Sequence, residues 1–221
     1  GAVSSLTINS TGVVDVAEAV GTDIGTVTIT NSGGTTFNST VGAATFTLTD
    51  TADAATVSFL GNVTLSAGMT VSALGRSDAF NVSLTGTTNS IAGATTFFNT
   101  GTLTLGNGGT DATEFTGGVV ATTQTGATNG IVLNGDVTAA GTGVITLGDT
   151  NTGITVSGSG TVGGASGGTI TMGDVLMADG VTLTVGAGAA NQIDLDAITG
   201  TAEGAVSSLT INSTGVVDVA E

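Results

Sequence analysis

The eighteen residues Gly1 to Glu18, GAVSSLTINSTGVVDVAE, return without a change as Gly204 to Glu221. This identity constrains the fold more than any other feature, because a segment that recurs after 203 residues (204 − 1) must find an equivalent environment twice. The expected organisation is one repeat unit over 1–203, with 204–221 opening the next identical unit and the array continuing past both ends of the sequence. Architectures that grow in one dimension meet this requirement without linkers, since each unit contacts only its neighbours.

Local pattern points the same way. Short runs alternate aliphatic residues with Thr or Ser: SLTIN at 5–9, TVTIT at 26–30, ATFTLT at 44–49, ATVSFL at 55–60, FNVSL at 80–84, TLTLG at 102–106, VITLG at 144–148, TITMG at 169–173 and TLTVG at 182–186. Period two is the signature of a strand with one buried and one exposed side. Between the runs lie turn formers such as NSGG at 31–34, GNGG at 106–109, NGD at 134–136 and SGSG at 157–160. Helical spacing is not sustained anywhere. The strongest runs recur at roughly 20 residues, with weaker strands such as VVDVA at 13–17 between them. The spacing predicts an all-β parallel β-solenoid with roughly 20 residues per coil and about ten coils in the 203-residue repeat. In such a stack, aliphatic ladders face inward while Thr, Ser and Asn ladders face outward. A sandwich module of this length would need linkers between copies, and none is visible.

Composition narrows the function classes. Lys and Arg together contribute one residue, Arg76, against 17 carboxylates, for a net charge of −16. Such a surface repels phosphate backbones, which excludes nucleic acid and anionic membranes as expected direct partners. Charged residues are only 8% of the chain, so this is not the composition of a disordered polyanion. There is no Cys, His, Pro, Trp or Tyr. Nucleophile–base pairs and metal cages built on His or Cys are therefore excluded, and the remaining reactive groups are carboxylates and hydroxyls. The chain is expected not to be an enzyme and to carry no cofactor.

Runs such as TLTLGNGGTDATEFTGGVV at 102–120, with repeated Thr–aliphatic–Gly units, resemble the β-strand repeats of bacterial autotransporter passengers and filamentous haemagglutinin-like surface proteins. The resemblance is compositional, spans most of the chain and includes no catalytic or secretion motif. It implies a secreted right-handed β-helix at the cell surface, used for adhesion or as a stalk.

Calcium is the chemical site best suited to these residues, because hard cations take several oxygen ligands. GNGGTDATE at 106–114 is an imperfect glycine-rich nonapeptide with Asp111 in the ligand place, while DTNTG at 149–153 and NQIDLD at 191–196 also group oxygens. Asp111, Asp149, Asp194 and Asp196 are thus the candidate calcium ligands, and the alternative is that each is a solvated turn or face residue. Thr-Xaa-Thr units at 26–30, 45–49, 102–104, 169–171 and 182–184 would order water if stacked on a flat face, or else simply reflect the strand preference of Thr. Asn9, Asn38, Asn62, Asn81 and Asn212 head Asn-Xaa-Ser/Thr triplets. Phe97 and Phe98 are adjacent, so one should point inward and the other outward. Arg76 is expected in a turn near Asp78.

The function expected from these features is mechanical: a long extracellular or cell-surface filament, fibre or stalk of tandem repeats, whose partner is itself and which divalent cations help to bundle. The competing expectation is an adhesin whose repeat array presents a binding surface for glycans or host cells.

Overall fold

A computed structural model describes residues 4–72, 79–122, 129–202 and 204–220. Arg76 and Asp78 lie outside the described residues, as does Glu221. Among the described residues every regular element is a strand, and all the paired strands run parallel in three sheets. The chain visits the sheets in strict rotation and winds a three-faced β-solenoid.

Face A holds ten strands in sequence order: Ser4–Asn9, Ile24–Asn31, Thr45–Leu48, Met69–Val71, Thr95–Phe97, Val119–Ala121, Ile145–Leu147, Ile170–Met172, Ile193–Leu195 and Val217–Val219. Face B runs through nine strands from Val14–Val16 to Ile198–Gly200, and face C through eight from Val41–Ala43 to Ser208–Ile211. In the first turn face C is reduced to one bridge, Val20 on Val41. Parallel pairing directs the strand N–H and C=O groups to the coil above or below, so among the described strands the unpaired edges lie at the two ends of the stack.

The solenoid is as expected, but its coils are longer and fewer than the sequence suggests. On face A the step from Thr28 to its stacking partner Thr47 is short, whereas the step from Thr70 to Thr96 takes in a wider loop at the corners. From Thr7 to Asp218 the nine steps average about 23 residues, which gives about nine turns. The clearest early runs, TVTIT and ATFTLT, belong to the shortest turn, and later turns add residues at their corners.

Inward positions form unbroken columns. One on face A runs Ile8, Ile29, Leu48, Val71, Phe97, Ala121, Leu147, Met172, Leu195 and Val219 in strict register. Bulk is balanced locally, as where Phe97 is followed by Ala121. In the second and third turns the interior is aromatic: Phe37 and Phe59 of face B stack at 5.1 Å, and Phe46 of face A meets Phe59 edge-on at 5.1 Å. Phe97 is buried and Phe98 is half-buried on the opposite side of the strand, as adjacency requires.

Polar residues that enter the interior are tied to backbone. Asn89 on face C accepts from Val63 N–H at 2.9 Å and donates to Gly86 C=O and Thr113 Oγ1, both at 3.0 Å. At the corner between faces A and B, Ser32 and Thr51 share a 2.5 Å hydrogen bond. At the corner between faces C and A, Asn191 Nδ2 donates to the carbonyls of Ser166 and Gly168, both at 2.7 Å. These bonds close the turns that the Gly and Asn clusters open.

Candidate functional site

The outer surface is built from the alternate strand positions. On face A, Thr7, Thr28, Thr47, Thr70 and Thr96 form one column, interrupted by Val120, resumed by Thr146 and Thr171, and ended by Asp194 and Asp218. A second column beside it, Ser5, Thr26 and Thr45, extends over three turns only. Thr45 donates to Thr26 Oγ1 at 3.1 Å, so these hydroxyls partly satisfy one another. The Thr-Xaa-Thr units at 26–30, 45–49 and 169–171 therefore share a narrow stripe on face A, with a two-column patch at one end, whereas those at 102–104 and 182–184 lie on faces B and C.

The four candidate aspartates are not brought together. Asp111 is buried in its own loop, where one carboxylate oxygen accepts from the N–H groups of Asn107 (2.8 Å) and Gly108 (3.0 Å). This carboxylate closes the GNGGTD turn. Asp149 accepts from Asn151 N–H at 2.8 Å in a separate turn. Asp194 faces outward on face A, where Gln192 Nε2 donates to both of its oxygens at 3.0 and 3.1 Å. Asp196 follows at the end of the same strand, half-buried. Among the described residues no group of three or more carboxylates is arranged to hold a metal ion. Any calcium taken up by these aspartates would meet one or two carboxylates at a time, not a preformed cage.

Shallow grooves interrupt the surface, two of them lined wholly by described residues. One, of about 390 Å³, lies on face B, where Gly130 and Gly153 leave space beside Thr155, Leu176, Asp174 and Thr199. Its one carboxylate, Asp174, accepts from Ala197 N–H at 3.3 Å. The other, of about 450 Å³, lies where the first turn is thin on face C, between Ala19–Thr22 and Val41. Neither groove pairs a carboxylate with a second titratable group, which general acid–base chemistry would need. Two of the Asn-Xaa-Ser/Thr asparagines are structural: Asn81 donates to Ala54 C=O and accepts from Thr102 N–H, and Asn62 accepts from Thr88 N–H. Sequence reading missed this role, although the position of Asn62 just before a strand and of Asn81 at the start of one was a signal for it.

The apolar surface that remains exposed is concentrated at the ends. Leu209, Val217 and Val219 occupy inward positions of the last turn but lack a covering coil, with exposures of 37%, 40% and 48%. All three belong to the second copy of the eighteen-residue segment. Comparisons of the chain with protein-family models, curated proteins and solved structures find no match.

Proposed function

We propose that this chain is a structural repeat of a long extracellular filament or stalk, in which successive copies continue one solenoid. The observation that carries the reading is the use of one eighteen-residue sequence in two turns of the same solenoid. In the first turn its inward Leu6, Val14 and Val16 pack under the coil that follows, and in the last turn the same residues, Leu209, Val217 and Val219, pack on the coil before, so the segment fits a coil on either side. Strength along the axis would come from three continuous hydrogen-bonded ladders and the aliphatic columns inside them. The acidic, nearly cation-free surface supports a fibre that stays dispersed, because like-charged filaments repel laterally. The composition also supports placing it among surface proteins of the autotransporter-passenger or haemagglutinin-like kind, at the outside of a cell.

Cryo-electron microscopy of the native material tests the reading. A thin filament with the ~4.8 Å strand spacing along its axis supports it. Separated beads, or strands running along the fibre, overturn it. An adhesive role is the second reading, and the observation that favours it is the face B groove, whose hydroxyls flank the apolar Leu176 as a sugar-binding surface would require. Saturable glycan binding by the isolated repeat, lost in Thr155→Glu, would favour the adhesin.

A further inference from the structure

The two copies of the eighteen-residue segment do not occupy equivalent places in the coil. In the first copy, Leu6 and Ile8 line face A and Val14 and Val16 line face B. In the second, the same residues, now Leu209 and Ile211, lie on face C, while Val217 and Val219 lie on face A. Eight steps along face A lead from Ser4–Asn9 to Ile193–Leu195, and the second copy begins two faces later. One period therefore spans eight and two-thirds turns.

Local structure is nevertheless the same in both settings. The corner is closed in one by Gly12 N–H donating to Ser10 Oγ at 3.1 Å, and in the other by Gly215 N–H donating to Ser213 Oγ at 3.0 Å. The segment is a two-face corner unit that works between A and B or between C and A. Superposing the copies supplies both of its neighbours: residues 182–195 beneath it, as seen for the second copy, and residues 24–37 above it, as seen for the first.

The composite junction is well matched. Inward, Leu183 meets Leu209, whose counterpart Leu6 meets Val27; Val185 meets Ile211, whose counterpart Ile8 meets Ile29. Outward, Thr161, Thr184 and Thr210 lead through the counterpart Thr7 into Thr28, Thr47, Thr70 and Thr96, one column of threonine on seven successive rungs. At the corner, Ser213 Oγ donates to Asn191 C=O at 2.7 Å from below, while Gly33 N–H donates to Gly12 C=O at 2.8 Å from above. Gly12 itself explains little where it stands, since a methyl group there would meet only Ser10 Oγ at 3.7 Å. At its counterpart Gly215, a methyl group would collide with the backbone carbonyl of Asn191 and lie 2.8 Å from that of Ala190. The glycine is required by a coil beneath the segment, which the first copy lacks in this chain.

We infer that the second copy is the joint at which the next repeat continues the solenoid, and that each repeat in an array is turned by one face relative to the one before. Face C of one repeat continues as face A of the next, A as B, and B as C. The repeat advances about 42 Å along the axis, and three repeats, twenty-six turns and about 125 Å, restore the starting face. This inference rests on the filament reading for the existence of the array but not for the phase of the junction.

The chain has no cysteine, so introduced pairs report cleanly. Stacked strand residues lie within the Cα separation a disulfide spans. In the 221-residue chain, Thr184→Cys with Thr210→Cys, and Asp194→Cys with Asp218→Cys, are expected to cross-link under mild oxidation. Asp194→Cys with Thr210→Cys is expected not to, because only a period of whole turns would stack those residues. Efficient cross-linking of the last pair instead overturns the inference. In a chain carrying two successive repeats, heavy-atom clusters on Thr146→Cys of each should sit about 42 Å apart along the axis and one face apart around it. Labels in line on one face overturn the phase alone. A hinge between two intact solenoids, with the first two pairs still cross-linking, overturns the filament reading and leaves the docking register in place.

Discussion

Asn89 shows how a single polar residue is held inside an otherwise aliphatic stack. It occupies an inward position between Val63 and Thr113, and its amide satisfies the Val63 N–H, the Gly86 carbonyl and the Thr113 hydroxyl at once. Asn89→Ala strands all three and opens a small void, so it should lower stability by about 3 kcal/mol, read as a shift of the urea midpoint. Thr113→Val alone should cost about 1 kcal/mol, and in the Asn89→Ala background close to nothing, because the partner is already gone. Equal, additive costs would show that the pair is not coupled. Asp111 teaches the converse lesson. Its place in a glycine-rich loop reads from sequence as a metal ligand, yet a carboxylate three residues after Gly108 also suits closing the loop on its own N–H groups. The oxygen-rich loop is legible in the residues, but not whether its oxygens converge outward on an ion or inward on the backbone.

The coil is the element of this molecule, and coils differ in what fills them. Phe37, Phe46 and Phe59 fill the second and third turns, so Phe59→Ala should cost about 3–5 kcal/mol and loosen those turns first. Stability in such a stack is close to a sum of nearest-neighbour terms, so end coils open most readily. Hydrogen exchange should be fastest in Ser208–Ile211 and Val217–Val219, where one side of each coil is uncovered, and slowest in central strands such as Leu103–Leu105 and Ile145–Leu147. Uniform protection from end to end would contradict this. Strands and their inward faces were legible in the sequence because period two survives in every run from SLTIN to TLTVG. Coil length and phase were not, since the corners absorb a variable number of residues. The step from Thr28 to Thr47 is much shorter than the one from Val120 to Thr146, although both climb a single rung of face A. With that spread, adding up runs cannot tell whether one period makes nine turns, ten, or eight and two-thirds. The placement of the repeated segment on two different pairs of faces emerges only from the register of every coil between its copies.

At the scale of the whole molecule, the decisive quantity is a net charge of −16 spread over a surface with almost no cations. In the proposed filament, lateral association would be opposed by repulsion that reaches about 10 Å at 0.1 M salt and about 3 Å at 1 M. Raising sodium chloride through that range should therefore increase bundling, seen as growing light scattering and as side-by-side filaments in micrographs. Calcium should act at far lower concentration, because a divalent ion can bridge carboxylates on neighbouring filaments. Asp194 and Asp218, on adjacent rungs and facing outward on face A, would supply one filament's side of such a bridge. Among the described residues no three carboxylates converge into a cage within one chain, so the same calcium should leave the melting temperature of the isolated 221-residue chain nearly unchanged. A preformed site would instead stabilise the folded state by mass action, about 2.7 kcal/mol at a hundredfold excess over the dissociation constant. The two readouts separate the possibilities. Bundling that rises in millimolar calcium and reverses in chelator, with a flat melting temperature, marks cations as an inter-filament glue. A raised melting temperature marks an intramolecular site among Asp111, Asp149, Asp194 and Asp196. Dispersion that is equal in calcium and in chelator removes divalent cations from the account and leaves charge repulsion alone to set filament spacing.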